Sequence, residues 1–306
     1  MATKRKTPLL RFRGFSEEWE KHKLKDIINY IVDNRGKNPA YYCDFGIPVI
    51  DNFMIGDTYP DLEKANRYID EELFNNFIRK YNQPDDILIT LVGNGIGKVS
   101  LFPDKKAVII QNTLGLRSES NDKKFCYYTL LSKQDDVVAL DRGMAQPSIR
   151  QDELLDLEIY TTSDFEEKKI SAFVFTIDNL ISLQKKKYKK LVATKRALFE
   201  KMFPKNGDDA APLRFKGYES AWQKKILGKI GTTYTGLSGK TKDDFGHGEA
   251  RFVTYVNVFK NPIADIKGVD FVEIDASQNI VKSGDVLFTT SSETPEEVGM
   301  SSVWLV

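Results

Sequence analysis

Hydrophobic and polar positions follow two different rhythms along this chain. Between residue 24 and about residue 160, short apolar runs such as "IPVI" (47–50), "DILITLV" (86–92), "AVII" (107–110) and "FCYYTLL" (125–131) are separated by turns rich in Gly, Pro, Asn and Asp. Runs of four to seven β-branched and aromatic residues with such punctuation predict strands. "DEELFNNFIRK" (70–80) predicts a short helix among them. The first part of the chain therefore reads as mixed α/β, with mostly antiparallel pairing.

The rhythm changes at residue 164. The stretch 164–203, "DFEEKKISAFVFTIDNLISLQKKKYKKLVATKRALFEKMF", contains neither Gly nor Pro. Ser163 or Asp164 can cap its start, Glu166 and Glu167 suit the first turn, and Pro204 stops it. Ile170, Phe173, Ile177 and Leu180 keep a 3-4 spacing that Leu191, Leu198 and Met202 resume, which predicts one long amphipathic helix with an apolar seam for a partner helix. At 1.5 Å per residue it spans roughly 55–60 Å, the length of a strut.

Beyond this helix the first pattern starts again. "LRFRGFSEEW" (10–19) returns as "LRFKGYESAW" (213–222), and Arg11/Arg214, Phe12/Phe215, Gly14/Gly217, Phe15/Tyr218 and Trp19/Trp222 share one offset of 203. The register continues through Lys21/Lys224, Leu24/Leu227 and Ile27/Ile230. Further on, "QPDDILIT" (83–90) is answered by "SGDVLFTT" (283–290), with Asp86/Asp285, Leu88/Leu287 and Thr90/Thr289 at an offset of 199. A register held this long implies a duplication with small loop insertions. The second copy reaches "GMSSVWLV" before any counterpart of the first copy's final third or of its helix. The expected organisation is a first domain over 1–160, a spacer helix over 161–205, and the N-terminal part of a second domain over 206–306.

Composition narrows the class. The chain has 306 residues, 41% hydrophobic and 29% charged, which fits about two globular domains. Two cysteines, Cys43 and Cys126, are too few for a disulfide framework and suit a reducing cytosol, so a cytoplasmic location is expected. No run of about 18 apolar residues is present, and the basic N-terminus lacks the apolar core of a secretory signal. Net charge is only +1, but residues 1–25 carry eight Lys/Arg against three Glu, and 164–201 ten Lys/Arg against five Asp/Glu. A neutral total can hide such local patches, where phosphate contacts would fall.

Catalytic signatures are missing. "GNGIGKV" (93–99) is not a phosphate-binding loop: Val92 stands where the first glycine belongs, and Val99 where Ser or Thr must hold magnesium. It reads instead as a Gly-rich turn after a strand. Two histidines, His22 and His247, and two isolated cysteines give no metal-ligand spacing. "NPAY" (38–41) and "NPIA" (261–264) lack the second proline of an amino-methyltransferase motif, and no nuclease constellation appears. The chain reads as a non-enzyme that binds no cofactor or metal itself.

Taken together, "LRFRGFSEEWEKHKLKDI" with its repeat, "DILIT…GNGIGKV", "GMAQPSIRQDELLDLEI" (143–159) and the long helix resemble the specificity subunit of type I restriction-modification systems, over essentially the whole chain. The resemblance implies an α+β architecture: two homologous mixed α/β target-recognition domains separated by a long coiled-coil-forming spacer helix, the second domain here incomplete. Gly143, Gln146 and Ile149 match the motif that closes each target-recognition domain. It also implies that each domain reads half of a split site on double-stranded DNA. Helices after the domains pack antiparallel and fix the half-site separation, for which one turn of B-DNA, roughly 34 Å, is a natural unit. Two methyltransferase subunits, carrying S-adenosylmethionine themselves, dock on the assembly, and a restriction subunit is a further partner. The alternative is a truncated scaffold form of the same subunit, either non-reading or self-dimerising through the spacer helix to read a symmetric site, because Ile170, Phe173, Ile177, Leu180, Leu191, Leu198 and Met202 then lack an intramolecular partner.

Loop residues able to pair with bases or bond phosphates are the candidate contacts. In the first domain these are Arg35, Lys37, Asn38, Tyr41, Asn94, Lys98, Gln111, Asn112, Arg142 and Gln146. In the second they are Ser238, Lys240, Lys242, His247 and Arg251. The Trp and Phe of the repeated decapeptide are expected to be packing anchors.

Overall fold

The computed structural model describes residues 7–36, 38–143, 145–205 and 207–306. The chain forms two compact units, Met1–Ala197 and Leu198–Val306. In the first, β1 (Glu20–Lys23), α1 (Leu24–Ile27), β2 (Tyr30–Val32), β3 (Ile47–Pro48), β4 (Tyr68–Ile69) and α2 (Glu71–Asn76) come first. Then follow β5 (Ile87–Thr90), β6 (Val99–Leu101), β7 (Thr113–Arg117), α3 (Lys123–Ser132), α4 (Gln134–Val138), α5 (Gln151–Leu155), β8 (Glu158–Thr161) and α6 (Asp164–Met202).

The centre is an antiparallel sheet in the order β2-β7-β5-β6. β5 lies between two neighbours and is buried along its whole length. Its side chains alternate: Ile87 and Ile89 join one apolar cluster with Leu114, Tyr127, Leu130 and Leu154, while Leu88 joins another with Val32, Ile50 and Ile109. That is the two-residue period of a strand with a core on each face, and each such side chain contributes about 1.5–3 kcal/mol by leaving water. β1 pairs with β8, with Glu20 opposite Thr161 and Lys23 opposite Glu158, so the two ends of the domain close on each other.

Three local expectations changed. "AVII" (107–110) is not a strand: its residues are buried, but Val108 makes only an isolated bridge to Val49. The helix expected over 70–80 is only Glu71–Asn76, started by Asp70, whose carboxylate accepts from Leu73 N at 2.8 Å. "FCYYTLL" is a helix and not a strand: it lies in α3, whose first turn is capped by Asp122 through Phe125 N at 2.8 Å. Phe125, Cys126, Tyr127 and Leu130 are its buried residues. The cap and this burial outweigh the strand preference of aromatic and β-branched residues.

α6 is the long helix the pattern predicts, 39 residues from Asp164 to Met202, about 58 Å at 1.5 Å per residue. Its first turns are bound to the first unit. Arg11 makes a two-pronged contact with the fully buried Glu166, at 2.7 and 2.5 Å. Phe12 packs edge-on to Phe173 at 5.7 Å, Tyr59 against Phe175 at 6.1 Å, and Asp178 accepts from the Tyr128 hydroxyl at 2.7 Å. The aromatics of the first decapeptide are thus packing anchors. Farther along, Leu180, Leu183 and Leu191 are 56%, 61% and 57% exposed.

The second unit contains β9 (Phe245–Val253), α7 (Tyr255–Lys260), β10 (Val269–Val272), β11 (Val286–Phe288) and β12 (Ser301–Val303). β9 pairs antiparallel with β10, and β11 with β12. A few bonds to backbone atoms have matching partners in the two paired stretches. Arg11 donates to the Glu17 carbonyl at 2.6 Å, and Arg214 to the Ser220 carbonyl at 2.6 Å. Asp86 N bonds Gln83 O at 3.0 Å, and Asp285 N bonds Lys282 O at 3.0 Å. The left-handed position just before is Asp85 (φ 64) in one copy and Gly284 (φ 92) in the other. Thr90 N–Lys98 O and Thr289 N–Met300 O, both 3.0 Å, then close equivalent hairpins.

Candidate nucleic-acid interface

Strand ends of the first unit bring five segments to one cleft of about 540 Å³. Asn112 stands at its own left-handed corner (φ 62), and its carbonyl accepts from Leu91 N at 2.7 Å, just after β5. The loop before α5 is zipped to the same stretch: Gly93 N bonds Pro147 O at 2.9 Å, and Ile149 N bonds Leu91 O at 2.8 Å. Within that loop, the Asp141 carboxylate accepts from Gly143 N at 2.9 Å and Ser148 N at 2.7 Å. These backbone bonds hold its carboxyl below the ordinary range. A Cβ on Gly143 would collide with the Gln146 carbonyl, so the turn that presents Gln146 requires glycine. Asn94, Asn112 and Gln146, all expected at the interface, line one cleft.

Residues not singled out in the sequence complete it: Asp51, Asn52, Phe53, Asn66 and Arg67. Asn52 is fixed by bonds to Val92 O at 2.8 Å and Thr113 Oγ1 at 3.3 Å. The Arg67 guanidinium grips both oxygens of Asp51 and lies over the Tyr42 ring, 4.8 Å from its centre. It also reaches Gln111 Oε1 at 3.5 Å, and Gln111 in turn donates to Asn38. Asn38 and Gln111 therefore belong to a hydrogen-bonded chain ending at this cleft. The signal for Asn66 and Arg67 was their place immediately before the "YI" strand, where a loop meets a sheet edge.

The other candidates are placed elsewhere. Arg35 is paired with Asp33 at 2.8 Å and bonds Gln151 at 2.8 Å; the hydrogen bond from Arg35 keeps the Asp33 carboxyl low. Tyr41 donates to Asp70 at 2.7 Å, which pushes its hydroxyl up to about 12. Arg142 faces Glu153 at 3.0 Å. Lys98 lines a neighbouring recess of about 280 Å³, beside Asp57, Asp61 and Lys64, that shares Phe53 with the cleft. Lys37 lies outside the described residues. In the second unit, Lys240 is paired with Asp275 at 3.0 Å, and Gln278 brackets the Ser238 backbone at 3.1 and 3.2 Å. The Arg251 guanidinium lies 5.2 Å over the Phe271 ring, His247 Nδ1 bonds Phe245 O at 3.2 Å, and Lys242 opens a short turn over 242–244.

Residues 16–193, more than half of the chain, match the family described as type I restriction modification DNA specificity domain. The chain belongs to that family. The match takes in the cleft, the zipped loop and most of α6, all within the first unit. A curated relative, the type I restriction enzyme MjaVIII specificity subunit of Methanocaldococcus jannaschii, is 27% identical over 193 residues, 60% of this chain. The chain spans only 44% of that relative's length. The crystal structure of the type-I restriction-modification system S subunit from M. genitalium has a TM-score of 0.52 at 18% identity, covering 98% of this chain and 72% of that one. That likeness is one of fold. The HsdS subunit from Thermoanaerobacter tengcongensis gives 0.43 at 17% identity, over 57% of this chain and 41% of that one. Among the described residues no group of acidic, His or Cys side chains could hold a metal, and no helix is long and apolar enough to cross a membrane.

Proposed function

We propose that this chain is a non-catalytic DNA-reading subunit of a type I restriction-modification complex, its two units each addressing one half of a split site on double-stranded DNA. The family match over 16–193 carries this reading. The equivalent hairpins around Asp86 and Asp285 support a second reading unit built like the first. Base contact at Asn94, Asn112 and Gln146 is part of the proposal, as is phosphate contact at exposed cations such as Lys98. Adenine methylation belongs to two partner methyltransferase subunits carrying S-adenosylmethionine.

The long helix supplies the spacing. Phe173, Ile177, Leu180, Leu191 and Leu198 are 41–57% exposed, a stripe wide enough to seat an antiparallel helix. That same stripe favours a second arrangement, self-pairing of two copies into a symmetric reader. Methylome sequencing of cells expressing the chain with its methyltransferase separates the readings. Two unlike half-sites around a fixed gap, with methylated adenine, support the first. A palindromic split motif supports self-pairing, and unchanged methylation refutes both.

A further inference from the structure

The cleft in the first unit carries amides where a phosphate-binding site would carry cations. Its charged lining residues are Asp51 and Arg67, and they neutralise each other. Four amides from four separate segments remain: Asn66, Asn94, Asn112 and Gln146. Among the described residues, none of these four side chains makes a hydrogen bond, unlike Asn52, which is held at both ends.

An amide presents a donor and an acceptor side by side. In the major groove that pattern matches adenine, which offers the N7 acceptor beside the N6 donor. Guanine offers two acceptors and calls for a free Arg or Lys, while cytosine's donor suits a free carboxylate. Among the described residues, the only such groups lining this cleft, Arg67 and Asp51, are occupied by each other. Phe53, 58% exposed at the rim, adds an apolar surface of the kind that meets a thymine methyl.

We propose that this cleft reads A·T base pairs in the major groove, with Asn66, Asn94 and Gln146 contacting adenine and Phe53 meeting the thymine methyl. The proposal rests on the DNA-reading function above and assigns the base class of the first half-site. Asn112, with its backbone bonded to Leu91 N, is the least adjustable of the four and can meet a base only where it stands.

The test is affinity selection of the purified full chain on random duplexes, with Asn94→Ala and Gln146→Ala selected in parallel and circular dichroism checking their folding. The expected result is a motif containing A·T positions at which each variant loses discrimination by about 5- to 150-fold, the span of one bidentate contact. Affinity for random DNA should change by no more than about twofold, since phosphate contacts carry that part. A second measurement uses the wild-type chain alone: replacing the read adenine with 7-deazaadenine, which lacks the N7 acceptor, should weaken binding about as much. Unchanged motifs in the variants, relaxation at G·C positions, or indifference to 7-deazaadenine overturn the assignment and leave DNA reading intact. A wild-type chain that selects no motif overturns the function itself, and the assignment with it.

Discussion

Replacing Asp86 tests how the first unit is held together. Its carboxylate is fully buried and accepts from Arg117 at 2.9 and 2.8 Å, from Lys123 at 3.1 Å and from Gln83 N at 2.8 Å. Arg117 and Lys123 have side chains only 9% and 25% exposed. Asp86→Ala leaves these cations short of a partner, and removing one member of a buried pair costs about 3–5 kcal/mol. Asp86→Asn keeps an acceptor for Gln83 N and should lose about half as much. The assay is urea unfolding followed by amide hydrogen exchange, which separates the two units. With a urea slope of about 1–3 kcal/mol per molar, the Ala midpoint should fall by about 1–5 M for the first unit only. Asp285→Ala is the internal control. That aspartate makes the equivalent turn bond to Lys282 N at 2.6 Å but accepts otherwise from the exposed Tyr234, so its effect should be smaller and confined to the second unit. A loss below about 1 kcal/mol for Asp86→Ala, or equal losses at both aspartates, refutes the reasoning. Asp86→Leu combined with Arg117→Met and Lys123→Met should recover much of the loss, because apolar replacement of a whole buried ion cluster is often close to neutral.

The neighbouring acids that open α6 should titrate in opposite senses. Burial pushes Glu166 up, but the hydrogen bonds from Arg11 and Thr162 outweigh it and leave the carboxyl below 4.5. Its stabilising contribution is present above the unfolded value and lost as pH falls through the folded one. In Glu167 burial prevails and the carboxyl lies above 4.5, so its contribution is present below the unfolded value and lost as pH rises through the folded one. Stability measured against pH should therefore show the wild-type advantage over Glu166→Gln shrinking in acid, and that over Glu167→Gln growing; parallel profiles would contradict the assignment. Asp178→Ala removes the acceptor of Tyr128 and should loosen α6 from the first unit at a cost of about 1–2 kcal/mol. Spin labels on β7 and at residue 187 should show a broadened distance distribution, whereas an unchanged one would mean that Phe173 and Phe175 suffice.

Features with a local cause were legible in the sequence. The long helix follows from an uninterrupted helix-forming stretch with its own stop signal. The duplication needs only sequence comparison, and the turn before each hairpin is written as Asp85-Asp86 and Gly284-Asp285, residues that tolerate a left-handed position. That Asn94, Asn112 and Gln146 share a cleft could be suspected because each stands in a loop, where polar side chains gather at strand ends. What depends on partners distant in sequence could not be read. "FCYYTLL" has strand propensity, and only Asp122 and the core beneath it select a helix. Arg35, Lys240 and Arg142 look like free cations along the chain, yet each is beside a carboxylate in the fold. The ends of the first unit meet through Arg11 and Glu166 across 155 positions, and the cleft gathers side chains from residues 51 to 146. A local pattern determines which conformation a segment prefers. Which side chains are neutralised, and which are left without a partner, is decided by packing alone.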